Sequence, residues 1–364
     1  MFDESILKTE ERAVFTLRSL YARHGYQPYK MSKFEEYDLY VANKEFLVGD
    51  GVITFNDTDG KLLALKPDVT LSIIRNSTDG AGKRKVYYDE NVYRISAKTK
   101  QFKEIRQVGL ECIGEIGLYD EYEALTLAAG SLAEISENFV LDISHLGVLS
   151  AVLDSVCEDK AFQAAVMQNL AEKNVHETEA LCTRFGVDNG GKEKLLTLFK
   201  AYGKTDEVLA KIEPICKGKA RAAFKKLQAL CKLLSSSQYA DKIRLDFSVV
   251  NDMNYYSDVV FKGFIDGVAE GVLSGGRYDK MMTRLGKNAG AIGFATYLDL
   301  LDGFNEEKSV TDVDAVVLYD EKTSVATLVK TVERLVKKGV TVSAQTGENG
   351  LRCKETVDLR GCKK

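Results

Sequence analysis

Apolar residues recur at helical spacing near the start of the chain: Val14, Leu17, Leu20 and Tyr21 form one stripe, and Gly25 ends the element. The period then shortens to two. Gly51 to Phe55 and Leu62 to Leu65 predict short strands about the turn Asp57-Thr58-Asp59-Gly60, and Pro67 stands where a second helix opens, a position at which its missing N–H costs little. Lys85 to Tyr93 and Ile105 to Ile113 are rich in β-branched and aromatic residues. They predict two long antiparallel strands joined by the polar loop Ser96-Ala97-Lys98-Thr99-Lys100, followed by a helix over about Asp120–Asn138 and a strand ending near Ser144.

From Glu158 to about Gln238 the strand pattern disappears. Glycine breaks and the stripe Phe224, Leu227, Leu230, Cys231 and Leu234 predict an insertion of short helices. Its basic residues Lys217, Lys219, Arg221, Lys225, Lys226 and Lys232 read as a solvated face. Strands return at Ile243–Val250, Val259–Phe264, Val268–Leu273 and Ala291–Thr296, the last running into a helix at Tyr297–Leu301. After the charged stretch Asn305-Glu306-Glu307-Lys308-Ser309 comes a small module. It predicts a strand at Ala315–Tyr319, a helix at Thr323–Lys338 with Val325, Leu328, Val332 and Leu335 inward, a strand at Gly339–Ser343, and a basic tail. No glycine-rich phosphate loop joins its first strand to its helix. Antiparallel strands interleaved with helices, without regular βαβ repetition, define an α+β fold. The predicted divisions are a core from 1–157 and 241–304, a helical insertion at 158–240, and a βαβ module at 311–364.

Composition narrows the function. The chain has 50 Lys+Arg against 54 Asp+Glu, which argues against a surface given over to nucleic acid. Seven scattered cysteines, none at CxxC spacing, argue against structural zinc and a disulfide framework, and fit a reducing cytoplasm. His24 and His145 read as capping or packed residues. The opening Met1-Phe2-Asp3-Glu4 has no signal-like pattern, and no apolar run approaches the ~20 residues that would span a bilayer.

Several blocks carry a resemblance. Leu65-Lys66-Pro67-Asp68-Val69-Thr70 is followed by Tyr93-Arg94 and by Glu104-Ile105-Arg106-Gln107-Val108-Gly109-Leu110-Glu111. Then come Asn254-Tyr255-Tyr256-Ser257-Asp258-Val259-Val260-Phe261, Ser274-Gly275-Gly276-Arg277-Tyr278-Asp279 and Ala291-Ile292-Gly293-Phe294-Ala295. In this order they resemble the class II aminoacyl-tRNA synthetases of the histidyl type. The resemblance implies a class II antiparallel sheet with flanking helices and a histidine-type pocket. Asp68 and Thr70 would face the ligand's ammonium, Gln107, Glu111, Tyr255 and Tyr256 would line its side chain, and Arg94 would hold an anion.

The same alignment is missing charge. The family's catalytic arginine before the Tyr-Tyr pair falls at Asn251, and its motif 3 arginine at Leu300. The acid after the motif 2 arginine falls at Ser96, and the motif 1 proline at Ser32. Losing one oxyanion donor costs ~10²–10³ in rate and an arginine finger ~10³–10⁵, so adenylate formation is expected to be negligible. The chain thus resembles a non-catalytic branch, the regulatory subunits of ATP phosphoribosyltransferase. That branch implies no cofactor and no catalytic or metal site. It further implies a homodimer core within a hetero-oligomer, the short-form catalytic subunit as partner, and histidine as effector. Other readings stay open: an RNA-sensing module on the same scaffold, an active histidyl-tRNA synthetase, or an enzyme activating a different small acid.

Overall fold

The computed structural model describes residues 7–41, 51–77, 82–96, 99–250, 255–302, 304, 311–347 and 350–361. Met1–Glu4, Ala97, Lys98, Asn251, Asn254, the stretch Asn305–Ser309 and Cys362 lie outside the described residues. The chain divides into two compact units, residues 1–304 and 305–364.

In the first unit, helix α1 (Thr9–Arg23) buries Ala13, Val14, Leu17 and Tyr21 at the spacing read from the sequence, and Glu11 accepts the N–H of Lys8 at its start. Strand β1 (Gln27–Pro28) leads to a small antiparallel sheet of β2 (Phe34–Glu36), β3 (Thr54–Asn56) and β4 (Leu62–Leu65), with α2 (Tyr37–Val41) beside it. Helix α3 spans Thr70–Arg75 and does not open at Pro67. The Asp68 carboxylate accepts the N–H of Leu71 at 2.8 Å, which sets the helix start beyond the proline.

Strands β5 (Arg84–Ile95) and β6 (Phe102–Gly114) pair antiparallel along their whole length, as their composition predicts. After α4 (Leu118–Ile135) and β7 (Phe139–His145) come α5 (Leu146–Val156), α6 (Lys160–Ala171), α7 (Val175–Arg184), α8 (Asn189–Phe199), the short β8 (Tyr202–Gly203), α9 (Thr205–Ile212) and α10 (Ala220–Leu234). Asp159, Asn174 and Asp188 cap α6, α7 and α8 through the N–H groups of Phe162, Glu177 and Gly191. Helix α10 buries Phe224, Leu227, Leu230, Cys231 and Leu234, while Lys225, Lys226 and Lys232 face solvent.

Strand β9 (Ile243–Asp246) stops short of Val250, because the Asp246 carboxylate accepts the Ser248 N–H and turns the chain. Strand β10 (Val259–Ile265) follows. The strand expected over Val268–Leu273 lies later: β11 runs Leu273–Arg277 through Gly275 and Gly276. The glycines serve close packing there, since a Cβ on Gly275 would fall 2.4 Å from the Gly293 carbonyl oxygen. Helix α11 (Asp279–Arg284) and β12 (Gly290–Tyr297) follow, and the helix predicted at Tyr297–Leu301 is a 3₁₀ turn over Leu298–Leu301.

Nine strands form one sheet in the order β1-β5-β6-β12-β11-β10-β7-β9-β8. Side chains alternate across it. Tyr87, Val108, Leu110, Cys112, Ile292 and Phe294 join the larger apolar cluster with α1 and α4, and Val86, Tyr88, Val92, Ile113 and Ala291 join a second cluster with residues of α3 and α11.

In the second unit, β13 (Val313–Leu318), α12 (Val325–Lys337) and β14 (Val342–Gln345) make the expected βαβ arrangement. Two readings are corrected. The basic tail carries a strand that was not predicted, because β15 (Cys353–Asp358) pairs parallel with the other edge of β13. Its mostly exposed residues lack an apolar alternation that would reveal it. Val325 is 72% exposed, since it sits at the first residue of α12, while Leu328, Val332 and Leu335 pack on the sheet.

Candidate functional site

The sheet face opposite α1 and α4 gathers the candidate site from rows of residues that pair across strands. Glu111 stands between Val86 and Gly293; Gly109 between Tyr88 and Ala295; Gln107 between Glu90 and Tyr297. On the far side, Gly276 pairs with Gly293 and Ser274 with Ala295. The small residues are required by what lies on them. A Cβ on Gly293 would fall 1.7 Å from Glu111 Oε2, and one on Gly276 would fall 2.7 Å from the Tyr256 ring.

Glu111 is the centre of the pocket. Thr70, at the start of α3, donates its hydroxyl to Oε1 at 2.6 Å, and Tyr278, just after β11, donates to Oε2 at 2.5 Å. Burial drives the Glu111 carboxyl up to about 8, with the two hydroxyls opposing and the nearby Asp68 adding to the rise. Asp68 is also raised by burial, while Arg94 and the N–H groups of Leu71 and Thr70 pull it back. Arg94 Nε donates to the Pro67 carbonyl at 2.8 Å, and its Nη2 stands 3.9 Å from Asp68 Oδ2. Tyr255 closes the wall, its ring centroid 4.6 Å from that of Tyr256 and 5.8 Å from that of Tyr278.

The structure therefore brings Asp68, Thr70, Arg94, Glu111, Tyr255 and Tyr256 to one place, with Gln107 buried on the same floor. Two buried acids, a hydroxyl and an aromatic wall suit a ligand that carries an ammonium and a ring with N–H groups. Sequence reading missed Tyr88, Tyr278 and Tyr297. Tyr278 lay within a quoted block, and Tyr88 shares the strand parity of Arg94 on β5, a signal that alternation alone supplies.

Leu300 packs against the larger apolar cluster, and Ser96 holds its loop by accepting the Thr99 N–H at 3.2 Å. Arg277 points to the opposite face of the sheet, as its pairing with Ile292 requires. It donates to Glu121 of α4 at 2.7 Å and pairs with Asp279 at 2.8 Å, so it is a structural clamp. Arg277→Ala should lower stability by about 2–4 kcal/mol in urea unfolding, since it strands the buried Glu121 carboxylate.

His145 sits at the N-terminus of α5, where its Nδ1 accepts the Val148 N–H at 3.3 Å, the capping role expected for it. Burial pushes its imidazole down to about 4, so it is neutral at pH 7. Among the described residues no group of His, Cys, Asp and Glu could hold a metal ion, and no helix is long and apolar enough to cross a membrane.

A largely antiparallel sheet backed by helices on one face, with buried acids and tyrosines gathered on the other, is the architecture of a class II aminoacyl-tRNA synthetase core. The sequence matches the family described as histidyl-tRNA synthetase over residues 3–301, and the chain belongs to that family. A relative from Oceanobacillus iheyensis named ATP phosphoribosyltransferase regulatory subunit is 24% identical over 326 residues, covering 87% of this chain and 80% of its own. A Bacillus halodurans structure described as an ATP phosphoribosyltransferase regulatory subunit/histidyl-tRNA synthetase superposes with a TM-score of 0.76 at 21% identity, covering 99% of this chain and 97% of that one. A chain of the ATP phosphoribosyl transferase complex from Thermotoga maritima superposes with a TM-score of 0.64 at 19% identity, over 79% of this chain and 97% of that one.

Proposed function

We propose that this chain is the non-catalytic regulatory subunit of ATP phosphoribosyltransferase, acting in the first step of histidine biosynthesis. It assembles, as a homodimer core, with a short-form catalytic subunit in the cytoplasm, and it reads free histidine in the pocket around Glu111. One observation carries the reading: the acids and the aromatic wall persist around Glu111, while among the described residues two of the lysines on this side are held by carboxylates and Leu300 carries no charge. Lys66 is buried and neutralised by Glu90, Lys103 pairs with Asp299 at 3.0 Å, and Leu300 is packed in apolar surroundings. The names borne by the curated relatives agree with it.

Regulation then needs two states of the complex that differ in affinity for histidine, because a ligand with equal affinity for both shifts nothing. Phosphoribosyl transfer by the short-form catalytic subunit should rise on adding this chain and fall again as histidine is titrated. No change at either step overturns the reading.

A further inference from the structure

Toward Arg94 the floor of the site ends at Tyr297. Its pairing with Gln107 sets it on the same sheet face as Glu111 and Gly293, two residues past Ala295, the last small residue of that row. Tyr297 is largely covered, and further along the same strands Arg94 pairs with Lys103, whose ammonium stands 3.0 Å from Asp299, so Tyr297 and Asp299 flank the Arg94 end of the sheet face. Past it, the 3₁₀ turn Leu298–Leu301 presents the Asp299 carboxylate, with one oxygen on Lys103 and the other buried without a hydrogen bond among the described residues.

We infer that Tyr297, with Asp299 behind it, closes the Arg94 end of the pocket, so that the site accepts an amino acid with a free carboxylate and refuses the same amino acid joined to a nucleotide. This rests on the histidine-pocket reading above and specifies its ligand. Arg94 is one guanidinium already shared with the Pro67 carbonyl and Asp68, enough for one carboxylate. A mixed anhydride would have to place a phosphate, a ribose and a base against an aromatic ring and then a carboxylate. Both are repulsive to it: the ring by volume, the carboxylate by charge. A regulatory site so built responds to the free end product and is blind to the activated form that tRNA charging consumes.

The test is calorimetric titration of the full chain with histidine and with 5′-O-(histidylsulfamoyl)adenosine, a stable mimic of the mixed anhydride. The mimic should bind the parent protein at least tenfold more weakly than histidine. Tyr297→Ser should cut that ratio tenfold or more, whereas Tyr297→Phe, which keeps the ring, should preserve it. Equal or tighter binding of the mimic to the parent overturns the inference, as does an unchanged ratio in Tyr297→Ser or a lost one in Tyr297→Phe. The parent ratio decides even if a variant fails to fold. Absence of histidine binding to the parent overturns instead the pocket reading on which the inference rests.

Discussion

Glu111→Ala is expected to raise the histidine concentration needed for half-inhibition of the complex by a hundredfold or more. Glu111 is the acceptor on which Thr70 and Tyr278 converge, and a buried acceptor is the group best placed to take an N–H from a ligand ring. Truncation removes that acceptor, leaves two buried hydroxyls without their partner, and opens a space above Gly293 that water can enter. A site built to hydrogen-bond its ligand typically loses ~10²-fold or more when the partner is deleted. Phosphoribosyl transfer by the reconstituted complex, titrated with histidine, measures the shift. Unaltered half-inhibition would move the effector site elsewhere on the complex.

The second large effect is on stability against pH. Glu111 has an ordinary carboxyl pKa of 4.5 when unfolded and about 8 in the folded pocket. The native state binds the proton more tightly, so its stabilising contribution is full below about pH 4.5 and is lost as pH rises through about 8. At ~1.4 kcal/mol for each pH unit between the two values, the loss approaches about 4–5 kcal/mol. Asp68, raised in the same direction by burial, adds to it. Glu111→Gln, which is neutral throughout, should flatten the fall. Urea midpoints of parent and variant between pH 5 and 8.5 test this, and parallel curves would show that Glu111 is ionised in the folded protein.

The sequence carried the helices and long strands well, because α1, α10, β5 and β6 each bury one periodic face. It failed where burial does not set the pattern. Strand β15 is an edge strand with alternating exposure too weak to see, and the first turn of α12 extends past the surface that Leu328 packs on. Strand β11 was placed too early because its glycines carry no apolar pattern; they answer to the Tyr256 ring and the neighbouring strand. The pocket residues came through the family blocks; periodicity alone would have left each as a packed strand residue. Tyr297 escaped because its place depends on the pairing of β12 with β6, a contact between segments far apart in the chain.

The floor of the site is defined by absent atoms: Gly276 and Gly293 leave the room that the Tyr256 ring and the Glu111 carboxylate occupy. Such a floor is fragile in one direction only. Every possible replacement at these two positions adds volume, so mutation there can only displace those two groups. The rim offers the opposite prospect, since Tyr297 has many smaller alternatives. A lineage drifting under no demand for ligand would therefore lose the site at its floor first, and could widen it only at the rim.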